Sequence, residues 1–318
     1  SIVPIIEKIR MAGKTIIMIE HRLKELFRIA NRVIVMNYGE KIADGPAEAV
    51  MEDEAVKCLS WNRGRIERIK MLEIDNLMVF FENALALNGL SLEVHEGEII
   101  GLIGSNSAGK TTFMNTVSGL IIDMRIKEKR KGGERISVYG SVTYEGEDIT
   151  ETPPSERVKK GIVLSRERHP VFPESSVVEN FKIAGYLRSK SETRETMDFV
   201  FTLFPPLSEL KTRKAGFLSG GEQQMLAIGM ALVVRPKLLL LDEPLLGLSP
   251  MMQKAVVDAI VSLNKETGIT VLLSEQFARP VLPMVDRAYV VENGMLALSG
   301  TGAELMNNPE IKAAYFGV

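Results

Sequence analysis

"GSNSAGKT", residues 104–111, stands between the apolar run "EIIGLI" (98–103) and "TFMNTVSG" (112–119). It fits the pattern G-x-x-x-x-G-K-[ST], and the strand-like run before it and helix-forming run after it give the pattern its weight. Backbone N–H groups of such a loop wrap phosphate oxygens, and the N-terminus of the following helix adds partial positive charge. Lys110 is expected to reach the β- and γ-phosphates of a nucleotide, and Thr111 to ligate Mg²⁺. Gly104, Ser105, Asn106, Ser107, Ala108, Gly109 and Thr112 complete the expected cradle. The alternative is a glycine-rich strand–helix turn that binds nothing.

Two further stretches fit a nucleotide site. "LLLLDE" (238–243) reads as a buried strand ending in two acids. Asp242 is expected near the Mg²⁺ shell, and Glu243 where it can orient and deprotonate an attacking water. In "LSGGEQQ" (218–224), Ser219 and Glu222 form S-x-x-E, a capping box for the helix that follows. Capping does not explain Gly220 and Gly221, where side chains would block a ligand from the helix amides. A second phosphate-binding surface does, and two such surfaces for one nucleotide imply that they serve different copies.

Bulk properties bound the rest. Among 318 residues, Lys+Arg 39 against Asp+Glu 41 gives a net charge of -2, so no global field draws the chain to nucleic acid or acidic lipid. A hydrophobic fraction of 45% builds a full core. The run from Met225 to Val234 is half of what a membrane span needs, and the start lacks a basic stretch followed by an apolar one. A single cysteine, Cys58, excludes an internal disulfide and fits a reducing compartment. Without a His/Cys cluster no transition-metal site is expected; His95 reads as a surface turn residue and His169 as a loop residue.

The chain repeats itself at an offset of 255 (Gly268 against Gly13). "GKTIIMIEH" (13–21) lies over "GITVLLSEQ" (268–276), and "NRVIVMNYGEKIADG" (31–45) over "DRAYVVENGMLALSG" (286–300) without a gap. Residues 1–60 therefore read as the C-terminal fragment of a first domain, 61–70 as a short basic linker, and 71–318 as a complete second copy. A start at Ser rather than Met fits that expectation. In the second copy, "EIDNLMVFF", "GLSLEVHEGEIIGLIG", "GIVLS", "TVLLSE" and "RAYVVE" read as strands. "KTTFMNTVSG" reads as a helix stopped by Gly119. Residues 250–265 read as a helix capped by Ser249, with Met252, Val256, Ile260 and Leu263 on one face. "RIKEKRKGGER" (125–135) is expected to be a flexible solvated loop. The alternation is that of an α/β fold, a mixed sheet flanked by helices.

"GSNSAGKT", "LSGGEQQ" and "LLLLDEP", in this order, resemble the ATPase domain of ABC proteins over residues 71–318, and residues 1–60 resemble the end of the same domain. The resemblance implies a P-loop NTPase fold with a mixed β-sheet core, an antiparallel β subdomain and a helical subdomain. It also implies a head-to-tail pair with a second ABC ATPase domain, as homo- or heterodimer, sandwiching ATP. Ser219, Gly220 and Gly221 would then hold the γ-phosphate of nucleotide bound to the partner domain. Phe81, with Phe80 as alternate, falls where the family places an aromatic against adenine. Glu167 falls where most members have a Gln touching Mg²⁺ and the transmembrane partner, and Gln276 where most have a switch His; His21 holds that place in the first fragment. Ser107 replaces a usual Gly, at a cost of about 1–2 kcal/mol if the site needs a left-handed backbone, enough to weaken nucleotide binding roughly tenfold. Together with "LSGGEQQMLAIGMAL" and the ending "IKAAYFG", the departures at Glu167 and Gln276 resemble ATP-binding subunits of branched-chain amino-acid importers. That subgroup implies an ATPase on the cytoplasmic face of the membrane, docked through residues 167–217 onto permease subunits, with no nucleic acid. The rival readings are a soluble tandem clamp of the translation or DNA-repair kind and a catalytically dead regulatory domain.

Overall fold

The computed structural model describes residues 16, 30–37, 40–52, 69–133, 135–167 and 170–316. It divides the chain into two units, 1–68 and 69–318. Most of the expected linker, with His21, Cys58, His169 and the first half of the repeat's opening stretch, lies outside the described residues.

In the first unit, β1 (Val33–Asn37) and β2 (Glu40–Gly45) form an antiparallel hairpin, followed by helix α1 (Ala47–Glu52). Val33 pairs with Gly45, and the register shifts between Val35 and Met36. The second unit contains the same device 255 residues on: Ala288 pairs with Gly300, and the shift falls between Val290 and Val291. A helix over Gly302–Asn307 follows there at the same offset. A shared bulge is a stronger sign of kinship than shared residue types, because a slip of one residue would turn every side chain to the other face.

The second unit begins with a long antiparallel pair, β3 (Lys70–Phe81) and β4 (Ala84–His95), so the last expected linker residue, Lys70, already belongs to a strand. β5 (Ile99–Ile103) leads through the phosphate loop into α2 (Lys110–Val117). Helix α3 (Leu120–Arg130) follows at once, correcting the first half of the expected flexible loop, Arg125 to Arg130, while residues 131–133 lie outside helix and strand. Its residues explain the error. Leu, Met, Glu, Lys and Arg are good helix formers, Ile121 and Ile122 are buried, and Lys127, Lys129 and Arg130 in the last turn suit the helix dipole. High charge alone did not mark a loop.

β6 (Ile136–Tyr144) and β7 (Glu147–Asp148) complete a four-stranded antiparallel sheet in the order β4-β3-β6-β7. After α4 (Pro154–Lys160) and β8 (Ile162–Ser165), a helical region comprises α5 (Val177–Ala184), α6 (Lys190–Leu203) and α7 (Gly220–Val233). β9 (Leu238–Asp242), α8 (Pro250–Thr267), β10 (Thr270–Glu275), β11 (Arg287–Glu292) and β12 (Met295–Thr301) complete the central sheet. Its order is β12-β11-β5-β10-β9-β8, parallel except for β12.

The leucine run of β9 is buried on both faces. Leu239 and Leu241 join one core with the helical region and α8; Leu238 and Leu240 join the other with the antiparallel sheet and α2. α8 forms with Ser249 as its cap and Val256, Ile260 and Leu263 buried, as its sequence predicts. His95 is not a free surface residue: its ring Nδ1 lies 2.8 Å from Arg287 and 3.3 Å from Glu98.

One buried charge holds the phosphate-loop helix from behind. The Arg157 guanidinium, fully buried in α4, donates to the carbonyls of Thr116 (2.7 Å) and Val117 (2.8 Å) at the end of α2, and to those of Ile149, Thr150 and Thr152. Burial pushes it down to about 10, so it remains a cation at neutral pH. Gly119 leaves it room: with φ 82, a Cβ there would stand 2.9 Å from the Arg157 Nε. Arg157→Met strands these carbonyls, and we expect a loss of about 3 kcal/mol. Thermal melts should show a Tm lower by roughly 10 °C for a unit of this size. An unchanged Tm would mean that water replaces the guanidinium.

Candidate functional site: a phosphate-binding cleft

Three strand ends meet at one height. β5 pairs in parallel with β10, and β10 with β9, placing the phosphate loop, Glu275 and Asp242 side by side. The Gly104 N–H donates to the Glu275 carbonyl at 3.2 Å. Gly104 is pressed so closely that a Cβ would lie 2.4 Å from the Val291 carbonyl oxygen. Gly109 takes φ 104 and caps α2, and a Cβ there would meet the Ala86 carbonyl at 2.6 Å. Those two glycines are required by geometry. Ser107 has φ 68 in the same loop, so the left-handed conformation considered for it is present.

The cleft, of about 490 Å³, is lined by Ala86, Asn106, Ser107, Gly109, Lys110, Thr111, Thr112, Glu167, Glu243 and Leu246. Lys110 is buried, with its Nζ on the carbonyls of Gly104 (2.7 Å) and Ser105 (3.0 Å) and 3.1 Å from Glu243 Oε1. Thr111 Oγ1 donates to Asp242 Oδ1 at 3.4 Å, and Ser274 Oγ to the same oxygen at 2.6 Å. Burial pushes the Asp242 carboxyl up, and Glu243 and Glu167 add to this, against the hydrogen bonds from Ser274 and Thr111. A cation beside these oxygens would relieve that crowding. Hydroxyl and carboxylate oxygens are the donor set that suits magnesium.

Other expected site residues lie outside the cleft's lining. Phe81 is half-buried at the β3–β4 turn, paired with Ala84, while Phe80 packs edge-on against Tyr139 at 6.0 Å. Gln276 is half-buried just past β10. Ser219 caps α7 through the expected box, accepting from the Glu222 N–H and donating its own N–H to Glu222 Oε2 at 2.7 Å. Gly221 faces α8, where a Cβ would meet the Met252 side chain, closest at its flexible end, 2.4 Å from Cε.

Sequence reasoning missed two neighbours. Ser274 fixes both acids, through Asp242 Oδ1 and the Glu243 N–H (3.2 Å). Glu275 is buried, with Oε1 accepting the Leu245 N–H at 2.7 Å. The strand "TVLLSE" carried both, but polar residues at the end of an apolar run gave no hint of direction.

The comparisons with known proteins agree with this geometry. Residues 87–246 match the family described as ABC transporter. The chain belongs to that family, and it is a nucleotide-binding ATPase of the ABC type. It is 42% identical over 247 residues to the high-affinity branched-chain amino acid transport ATP-binding protein BraG of Pseudomonas aeruginosa, covering 78% of this chain and 100% of that protein. It is 33% identical to the probable branched-chain amino acid transport ATP-binding protein LivF of Archaeoglobus fulgidus, over 78% of this chain and 99% of the relative. Among solved structures, the ADP conformation of MJ1267, an ATP-binding cassette of an ABC transporter, matches with TM-score 0.63 and 28% identity, covering 78% of this chain and 99% of that one.

Two outcomes test the site. Ser107→Gly removes the left-handed penalty but adds unfolded-chain entropy, for a net gain of about 1 kcal/mol. It should appear as a small rise in Tm or a few-fold tighter ATP binding; no change in either means that the serine is unstrained. Burial above all, with Glu243 adding, holds Glu275 at about 8 against the ordinary 4.5. Between these values the folded protein keeps a proton that the unfolded chain has lost, so stability falls as pH rises through the window and levels off above it. Glu275→Gln lacks this slope. Its Tm advantage over wild type should therefore grow from pH 5 to pH 8, and a constant difference would contradict the assignment.

Proposed function

We propose that this chain is the ATP-hydrolysing motor subunit of an importer for branched-chain amino acids. The observation that carries the reading is the meeting in one cleft of the phosphate loop, Lys110, the Thr111–Asp242 pair and Glu243. Backbone amides of residues 105–111 and Lys110 would hold the nucleotide's phosphates. Thr111, Asp242 and Glu167 would hold magnesium, which when bound neutralises phosphate charge. Among the described residues no group of three or more His, Cys, Asp or Glu could hold a metal, so phosphate and water oxygens would complete its shell. Glu243 would take a proton from the attacking water, and Gln276 would donate a hydrogen bond toward the γ-phosphate. Phe81 would pack on adenine.

Ser219, Gly220 and Gly221 stand away from this chain's cleft, which supports their use on nucleotide held by a second ABC ATPase domain. Residues 1–60 read as the corresponding end of a companion domain, supported by the hairpin register they share with β11 and β12. Among the described residues no helix is long and apolar enough to cross a membrane, so coupling would run through separate permease subunits. The helical region offers a docking surface, where Phe172, Ile183, Tyr186 and Leu187 are exposed. The names of the relatives supply the solute.

The test is co-purification from detergent-solubilised membranes, followed by leucine-dependent ATPase and uptake assays in vesicles. Multi-span proteins should be recovered with the chain. Glu243→Gln should bind ATP normally and lose turnover by about a hundredfold or more, as expected for removal of a general base. Unchanged turnover would overturn the role of Glu243, and solely soluble partners the importer reading.

A further inference from the structure

Glu275 sits where three parts of the cleft join. Its carbonyl holds the Gly104 N–H at the start of the phosphate loop, and its side chain holds the Leu245 N–H, two residues beyond Glu243. Gln276 follows it directly. The segment from Glu243 to Ser249 begins with a left-handed residue, Glu243 at φ 48, and ends at the cap of α8. Its other bonds are longer: Glu243 N–H to the Ser274 carbonyl at 3.1 Å and to Ser274 Oγ at 3.2 Å, Leu246 N–H to the Glu243 carbonyl at 3.2 Å, Leu248 N–H to Leu245 at 3.3 Å, and Gln253 Nε2 to the Leu245 carbonyl at 3.3 Å. The carboxyl of Glu275 supplies the shortest of these contacts, and it comes from a different strand.

We propose that Glu275 is a positioning residue for hydrolysis, fixing the segment after the catalytic acid to the phosphate loop so that Glu243 keeps one place relative to Lys110. The inference rests on the reading of Glu243 as the base. A left-handed residue followed by a loop has little internal reason to stay put, and an unpaired buried N–H at Leu245 would loosen it further. A carboxyl that holds its proton can accept this bond without setting a second negative charge beside Glu243. Glutamine mimics that neutral form, keeping an oxygen acceptor at nearly the same reach. Alanine removes the acceptor and leaves a space; methionine fills the space without an acceptor.

The experiment compares Glu275→Ala, Glu275→Gln and Glu275→Met in the full chain. Amide hydrogen exchange of the 243–249 peptide is read on the chain alone, and kcat and KM for ATP with magnesium on the assembled complex. In the Ala and Met variants, exchange of this peptide should quicken about tenfold, the effect of one lost buried hydrogen bond. Their kcat should fall by a similar factor with KM changed less than twofold, and Gln should restore both. Met decides the outcome if Ala does not fold. The proposal is overturned if exchange and kcat are unchanged in Ala and Met. It is equally overturned if Tm and kcat fall, KM rises more than twofold and Gln rescues nothing, which would make Glu275 a packing residue. Because exchange is read without turnover, failure of Glu243 as the base remains distinguishable: Glu243→Gln would then keep its turnover while the exchange result stood.

Discussion

The parallel pairing of β5, β10 and β9 is the constraint on which the cleft depends. Parallel strands end together, so the segments leaving those ends are forced to be neighbours. The phosphate loop leaves β5, the paired acids leave β9, and Glu275 closes the strand between them. Two backbone bonds, from the Gly104 N–H to the Glu275 carbonyl and from the Glu243 N–H to the Ser274 carbonyl, fix their common height. Leucines and isoleucines bury both faces of these strands, which packs the sheet between two cores. The cleft stands on that core, while its lining comes from loops.

Within that frame the site balances charge tightly. Lys110 answers Glu243, Ser274 and Thr111 answer Asp242, and Glu275 is held up by burial. Such a cluster is poised rather than satisfied. One cation and a polyanionic phosphate chain would compete for these pairings. The price is local strain at Ser107 and Glu243, both left-handed and both at the cleft.

Much of this was legible in the sequence, for identifiable reasons. The phosphate loop was readable because its glycines have geometric tasks at fixed spacing. The leucine strand announced itself because two-sided burial leaves no alternation. The caps at Ser219 and Ser249 followed from local chemistry. The features that escaped were decided at a distance. α3 hid behind its charges, since two buried isoleucines do not stand out in a basic run. The antiparallel strand β6 depended on pairing with β3, which no local pattern reveals. Glu275 and Ser274 looked like the frayed end of a strand until its neighbours were known.

Arg157 gives the phosphate-loop helix an electrical asymmetry. Eight residues make α2 about 12 Å long, with a partial positive pole at the cleft and a partial negative pole at its far end. A full positive charge bonded to the terminal carbonyls cancels that far pole from inside the protein. The helix then acts less like a dipole, whose field dies quickly with distance, and more like a single positive charge facing the cleft. An anion approaching from solvent would feel this longer-ranged pull before touching any residue of the loop. Part of the capture of a phosphate is thus set by a side chain that never meets it.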